Sequence, residues 1–418
     1  MGEKKKIFIW TLFDFANTAF SVIIVTVIYS KYFSNFVADG RKWIWGLAIS
    51  LSMVIAALLS PPLGAIADVS RNRKRFLLIF TLLSVVCTAL MFFVQKGDVI
   101  LGFLLFVFAN LGFEAGIVFY DAFLPNLTEK KNFGRVSGYG FAMGYVGALV
   151  VLLIVMVLLP PQSDPNYYLY IRISFVVAAA FFFIFSIPLF LFIKEPIIEE
   201  PHKKDLIKNG IKKSVKTFKS IFFHSNHPSI KRFLFSFFLY NDGIITIIAF
   251  ASIFAANALK MTDEQVIYFF VIVQSTAVLG SFIFGIISDR IGPKKTITIT
   301  LFIWIAVIIG TFFITTIFEF YIVGLMAGIS IGSSQSSSRS LMALLTPKDR
   351  EAEFFGFYDG LFGKSSAIVG PLFYGIMADL SNERFAALSI GVFFIAGLII
   401  LQKVEVPEFR LSNKKVNL

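Results

Sequence analysis

The chain has 418 residues, 57% of them hydrophobic and 15% charged, with a formal net charge of +12 and a mean hydropathy of +0.80. A soluble domain carries roughly 25% charged residues, so a soluble globular fold is excluded. The single cysteine, Cys87, rules out an intramolecular disulfide. The three histidines, His202, His224 and His227, share one polar segment, which rules out a His/Cys metal site in the apolar stretches.

The first apolar run, 7–33, is too long for a signal-peptide core and holds Asp14 and Asn17. No small-residue cleavage site follows it, so it reads as a retained first helix. Runs at 43–67, 76–95, 98–122, 136–159 and 170–193 complete six spans. After a polar segment come 232–256, 264–287, 295–315, 318–340, 353–377 and 384–402. Each is long enough to cross about 30 Å of hydrocarbon. Each is continuously apolar and not alternating, which excludes a barrel. The prediction is an all-α polytopic membrane protein with twelve transmembrane helices in two pseudo-symmetric six-helix bundles. The first bundle is 1–194; the second is 232–418, with a short cytoplasmic tail. About three quarters of the Lys and Arg residues fall on the side shared by the termini, which places both termini in the cytoplasm.

The linker 195–231 is basic. Ile207, Ile211, Val215, Phe218 and Phe222 recur on one helical face among Lys204, Lys208, Lys212, Lys213, Lys216 and Lys219. Such a helix is expected to lie on anionic lipid along 203–223, or to act as a plain tether that satisfies the charge bias. The surplus cations follow membrane topology and form no separate basic domain, so nucleic acid is not an expected partner.

One pattern occurs twice at an offset of 221 residues: Gly64-Ala-Ile-Ala-Asp68 with Arg71, Arg73, Lys74 and Arg75, and Gly285-Ile-Ile-Ser-Asp289 with Arg290, Lys294 and Lys295. The glycine lets a neighbouring helix approach closely. The acid, at the cytoplasmic mouth, can accept from basic side chains or a helix N-terminus. Repeated halves with a site between them are a transporter's architecture. The spacing resembles the signature loop of the major facilitator superfamily. The first copy departs from it, with Val69 where Arg is usual and Arg71 where Gly is usual, so weaker or different contacts are expected there.

Ionisable groups inside spans cost about 2.5–3.5 kcal/mol each and are functional candidates. Asp14 and Asn17 share a face of span 1. Asn110, Glu114 and Asp121 share a face of span 4. Span 7 carries Tyr240, Asn241 and Asp242, with Asp242 near the midplane, and span 11 carries Tyr358, Asp359 and Lys364. Two readings stay open: these acids bind a solute amine or carry protons while Lys364 meets a carboxylate, or the charges pair with one another and fix packing. For Asp121, near the cytoplasmic end, a gate role is expected. Gly140, Gly144 and Gly147 form a small-residue packing face. The Ser-rich end of span 10, with Arg339, lines a polar path or bonds within the bundle.

Several segments resemble the autophagy-related vacuole amino-acid effluxers and their bacterial relatives. They are Phe13-Asp14-Phe15-Ala16-Asn17-Thr18-Ala19-Phe20, Tyr120-Asp121-Ala122-Phe123-Leu124-Pro125, Arg135-Val136-Ser137-Gly138 and Gly144-Tyr145-Val146-Gly147. The second half adds Leu239-Tyr240-Asn241-Asp242-Gly243, Ser338-Arg339-Ser340-Leu341-Met342-Ala343 and Glu353-Phe354-Phe355-Gly356 with Gly363-Lys364. The sequence departs at Asp121, where Asn is usual, and at Asp359, where a small or apolar residue is usual. The resemblance implies a twelve-helix facilitator that exports or releases amino acids, with spans 1, 4, 7 and 10 around its path.

The expectation is therefore a secondary transporter for a small polar solute, without cofactor or metal, working as a monomer in a bacterial plasma membrane. Its substrate and coupling residues are Asp14, Asn17, Asn110, Glu114, Tyr240, Asn241, Asp242 and Lys364. Its cytoplasmic gate is Gly64, Asp68, Arg73, Asp121, Arg135, Gly285, Asp289, Arg290, Lys294 and Arg339. The alternatives are a polytopic enzyme acting on lipid or sugar, disfavoured by the lack of His inside the spans, and a lipid facilitator or sensor.

Overall fold

The computed structural model describes residues 1–195, 205–224 and 226–406, save the side chains of 253, 256, 257, 263, 264 and 267. Residue His202, linker positions 196–204 and the tail beyond 406 lie outside the described residues. Among the described residues there is no strand. In apolar surroundings a continuous chain satisfies its backbone internally only as helix.

In the first half the spans are α1 (Glu3–Val37), α2 (Lys42–Ser70), α3 (Arg73–Leu90), α4 (Val99–Asp121), α5 (Phe133–Leu158) and α6 (Tyr167–Phe192). The linker forms α7 (Leu206–Phe222). The second half holds α8 (Pro228–Ala258), α9 (Asp263–Ile291), α10 (Pro293–Phe313) and α11 (Ile317–Leu345). It continues with α12 (Glu351–Phe355), α13 (Val369–Leu380), α14 (Glu383–Ser389) and α15 (Gly391–Gln402). Among the described residues eleven helical stretches are long and apolar enough to cross a membrane, with α14 and α15 counted as one, Glu383–Gln402. The pair α12–α13 makes the twelfth.

That pair is where the structure departs from the predicted continuous span 353–377. After α12 the chain winds as a π-helix, Gly356–Gly363. It leaves helical geometry at 366–368 and resumes at Val369. Asp359 lies in the widened stretch, a form frequent at functional sites, and Lys364 directly follows it. The predicted first span is also longer, and it contains π stretches at Phe20–Val27 and Tyr32–Val37.

Helix ends follow local chemistry. Thr262 with Gln265 and Thr316 with Glu319 form capping boxes, and Asn382 accepts from the backbone of Arg384 and Phe385. Gly292, at φ 91°, ends α9, and Pro293 opens α10. At the same 221-residue offset Arg71 ends α2 in the left-handed region, at φ 55°. A side chain there costs roughly 1–2 kcal/mol, against about 0–1 kcal/mol for its exposed ion pair with Asp349. Arg71→Gly is therefore expected to raise the thermal midpoint slightly, and a fall measured in detergent would show that the ion pair outweighs the backbone strain.

The chain divides into two compact units. The first comprises Met1–Phe123, Met143–Val215 and Asp349–Ser365; the second comprises Leu124–Ala142, Lys216–Lys348 and Ser366–Leu418. Each unit thus takes one segment from the other half of the sequence. Inside the first, Gly147 of α5 lies directly on the Phe15 carbonyl, and Thr18 Oγ1 donates to Gly144 O at 2.9 Å. Gly144 and Gly147 of α5 are used for close packing.

Candidate functional site

In the first unit Lys364 Nζ pairs with Glu114 on α4 and lies 3.2 Å from Asp359 Oδ2. All three side chains are largely buried. In an α-helix residues five apart are about 140° apart around the axis. The i→i+5 winding of the π-helix brings Asp359 and Lys364 onto one side. Asp359, where the resemblance implies a small or apolar residue, is thus a second counter-ion to the lysine. Ionised, the three groups sum to one negative charge, so the cluster has room for one proton or for the ammonium of a solute. One turn back on α4, Asn110 Nδ2 donates to Ser52 Oγ at 2.8 Å, while Asn110 Oδ1, fully buried, has no hydrogen bond.

Asp14 accepts from the Tyr120 hydroxyl at 2.7 Å. The Tyr120 ring stacks on both Trp10, at 4.5 Å, and Phe13, at 4.8 Å. Asn17 is buried one turn along α1. In the second unit Tyr240 bonds Ser338 at 2.7 Å, and Asn241 Nδ2 donates to Ser366 Oγ at 2.6 Å. Asp242 is fully buried. Both its oxygens accept from the Gly370 N–H at 2.9 Å. A carboxylate at a helix N-terminus satisfies an orphan donor and complements the macrodipole. Asp242 therefore caps α13 where the span resumes.

The two copies of the repeated motif hold the first turns of other helices. The Asp68 carboxylate accepts from the backbone N–H groups of Ala352 at 3.2 Å and Glu353 at 2.9 Å, and from Arg73 Nε at 2.7 Å. Arg73 also pairs with Glu351. Asp289 accepts from the backbone N–H groups of Gly134 at 2.8 Å and Arg135 at 3.2 Å, and from the Arg135 side chain. The glycines explain the approach: a Cβ on Gly64 would overlap Ala352 O, and one on Gly285 would crowd Gly134 O and Gly138 Cα. The first copy makes different contacts from the second. Its arginine is shared with Glu351, and Arg350, Glu353 and Lys213 extend the network.

Arg339 is buried on α11. It donates to Ser137 Oγ at 2.9 Å and Ser137 O at 2.8 Å, and its guanidinium lies 4.0 Å from the centre of the Phe141 ring. Asp121 is buried at the end of α4. Arg290 is exposed, and Lys294 donates to the Gln402 and Val404 carbonyls at 2.9 and 2.8 Å, so the basic group of Lys294 closes the end of α15. Outside the spans, Glu195 accepts from the Lys74 N–H at 2.9 Å. Burial pushes its carboxyl above the usual range, against the pull of that bond.

Sequence reasoning gave no role to Glu351 and Asp349, and Glu353 and Ser137 entered it only within segments that carry the resemblance. Asp349 and Glu351 lie in the charged stretch before the predicted span 353–377, Lys348-Asp349-Arg350-Glu351-Ala352-Glu353, and Glu353 opens that span. Their alternation with Arg350 was the available signal.

Residues 44–411 match the family model described as "Vacuole effluxer Atg22 like". The chain is 30% identical to the uncharacterized MFS-type transporter YxiO of Bacillus subtilis, over 96% of this chain and 94% of that protein. It is 27% identical to autophagy-related protein 22 of Kluyveromyces lactis, over 88% of this chain and 80% of the relative. Among solved structures, the E. coli fucose:proton symporter FucP superposes with a TM-score of 0.75 at 12% identity, covering 97% of this chain and 98% of that one. The human organic anion transporter MFSD10 gives 0.73 at 12% identity, covering 96% and 100%. At such identity these two show the fold alone: twelve helices in the major facilitator arrangement.

Proposed function

The chain belongs to the Atg22-like vacuole effluxer family of major facilitator transporters, and we propose that it moves a small polar solute, amino acids first, by alternating access across a bacterial plasma membrane. The observation that carries this reading is the buried Glu114–Lys364–Asp359 cluster. A charged triad inside a membrane bundle is costly to keep, and here it stands at a π-helical stretch just before a span breaks. Lys364 offers charge to a solute carboxylate, and Glu114 or Asp359 offers it to an amine. Protonation of Glu114, with Asp14 and Asp242 as further acids, couples the cycle. The family's description as an effluxer supports export, and the curated bacterial relative supports the plasma membrane.

In this reading 1–194 and 232–418 are the moving bodies, 195–231 connects them, and both termini are cytoplasmic. The Asp68 and Asp289 contacts form the cytoplasmic gate, joined by Gly64, Arg73, Asp121, Arg135, Gly285 and Arg339. The protein works as a monomer. Its partners are the solute and, along 203–223, anionic lipid.

The test is flux of radiolabelled amino acids into proteoliposomes with and without an imposed pH gradient. Accumulation that collapses when the gradient is discharged is expected. If none of the twenty amino acids moves faster than into empty vesicles, the substrate class is wrong; movement indifferent to the gradient removes proton coupling.

A further inference from the structure

The linker helix α7 carries five lysines and no acid, and its circumference divides into three sectors. Gly210, Ser214, Thr217 and Ile221 are buried. Gly210 lies against Ile66 near the end of α2, with no room for a Cβ. Beside this sector Ile207, Ile211 and Val215 are 67%, 47% and 50% exposed. A row of exposed aliphatics marks a binding surface. The row runs on through Phe218 and Phe222, 4.7 Å apart, to Phe235 of α8, 6.0 Å further. Phe235 is itself exposed on the face of a span. Beyond the apolar row stand Lys208, Lys212, Lys216 and Lys219, all exposed. Lys213 turns the other way, 3.9 Å from the fully buried Glu353 carboxylate, which also pairs with Arg350. The second oxygen of Glu353 has no hydrogen bond.

We propose that α7 is clasped from two sides at once, by the ionic network at the start of α12 and by anionic phospholipid, so that anionic lipid stabilises the Asp68–Arg73–Glu351–Glu353 contact. This rests on the reading of 203–223 as a lipid contact and adds its consequence for the gate. The sectors lie side by side in the order packed, apolar, basic. The helix therefore meets bundle and bilayer without turning, its apolar row at the acyl boundary and its lysines among the phosphates. Its neighbours in sequence, α6 and α8, are both spans. Each lysine near an anionic surface adds roughly a fivefold preference. A ligand that favours the docked helix stabilises docking by mass action, and the coupling is reciprocal.

The experiment is hydrogen exchange of the full chain in nanodiscs, either of phosphatidylcholine alone or with about a third phosphatidylglycerol. Phosphatidylglycerol is expected to slow exchange in both 206–222 and 349–356 by about tenfold or more. Lys213→Gln should keep the lipid effect on 206–222 and lose it on 349–356. A variant with Lys208, Lys212, Lys216 and Lys219 all changed to Gln should lose both, as should the unaltered protein at about 1 M salt, where screening reaches ~3 Å. If 206–222 ignores phosphatidylglycerol, the lipid contact fails and the clasp with it. If 206–222 responds while 349–356 does not, the clasp alone is overturned and the lipid contact stands. Neither outcome bears on solute flux.

Discussion

Lys364→Met will abolish transport and destabilise the protein, whereas Lys364→Met combined with Glu114→Gln and Asp359→Asn will recover stability without transport. The ammonium is held between two carboxylates inside the bundle. Removing it leaves both acids buried without their counter-ion, a loss of about 3–5 kcal/mol where a buried pair is broken. Neutralising the acids as well removes that penalty, since an uncharged trio needs no counter-ion. If the cluster only held helices together, the triple variant would regain flux along with its melting temperature. If it handles solute and protons, flux stays about ten- to a hundredfold down, since loss of a charge-assisted contact made in the transition state costs about 1.5–3 kcal/mol. Thermal unfolding followed by size exclusion, set beside counterflow in proteoliposomes, separates the two. Restored flux in the triple variant would reduce the cluster to packing.

The second large effect is expected at the duplicated loop. Asp68→Asn keeps shape and one acceptor but loses the charge that faces two backbone N–H groups and Arg73. Hydrogen bonds to a charged group contribute about 1.5–3 kcal/mol each. Asp68→Asn should therefore raise the open fraction of this contact by about ten- to a hundredfold, since each 1.4 kcal/mol is a factor of ten. With Cys87 replaced by Ser, a cysteine at the buried Ser70 position reports opening as faster maleimide labelling. Asp289→Asn, read at Ser288→Cys, should do the same through Gly134 and Arg135. The effect at Asp68 should be the larger, because its arginine is buried, 9% exposed, where Arg135 is 45% exposed and its pairing is screened by water. Labelling rates unchanged by Asp68→Asn would show that this acid does not hold the contact shut.

Asp242 shows how the two levels of description diverge. Its depth along the eighth helix is legible from the spacing of the apolar run. That it would cap a second helix start, at Gly370, depends on a break in the eleventh span that an uninterrupted apolar sequence conceals. Lys294 is similar. Its basic charge marks the motif, but the side chain turns to the carbonyls that end α15. Glu351 lay outside every predicted span and Glu353 at the first position of one, and their role showed only where the helix beginning there met Asp68 and Arg73.

From the residues alone came the twelve crossings, the duplicated loop and the set of buried ionisable groups. Hydrophobic length, Gly-x-x-x-Asp spacing and the cost of charge in hydrocarbon are local properties that a single chain displays. Only the tertiary structure decided which charges meet. A π-turn changes which residues face one another, and a carboxylate's partner is chosen by helices hundreds of residues away. Pairing energies depend on distance and burial, which one-dimensional order does not contain.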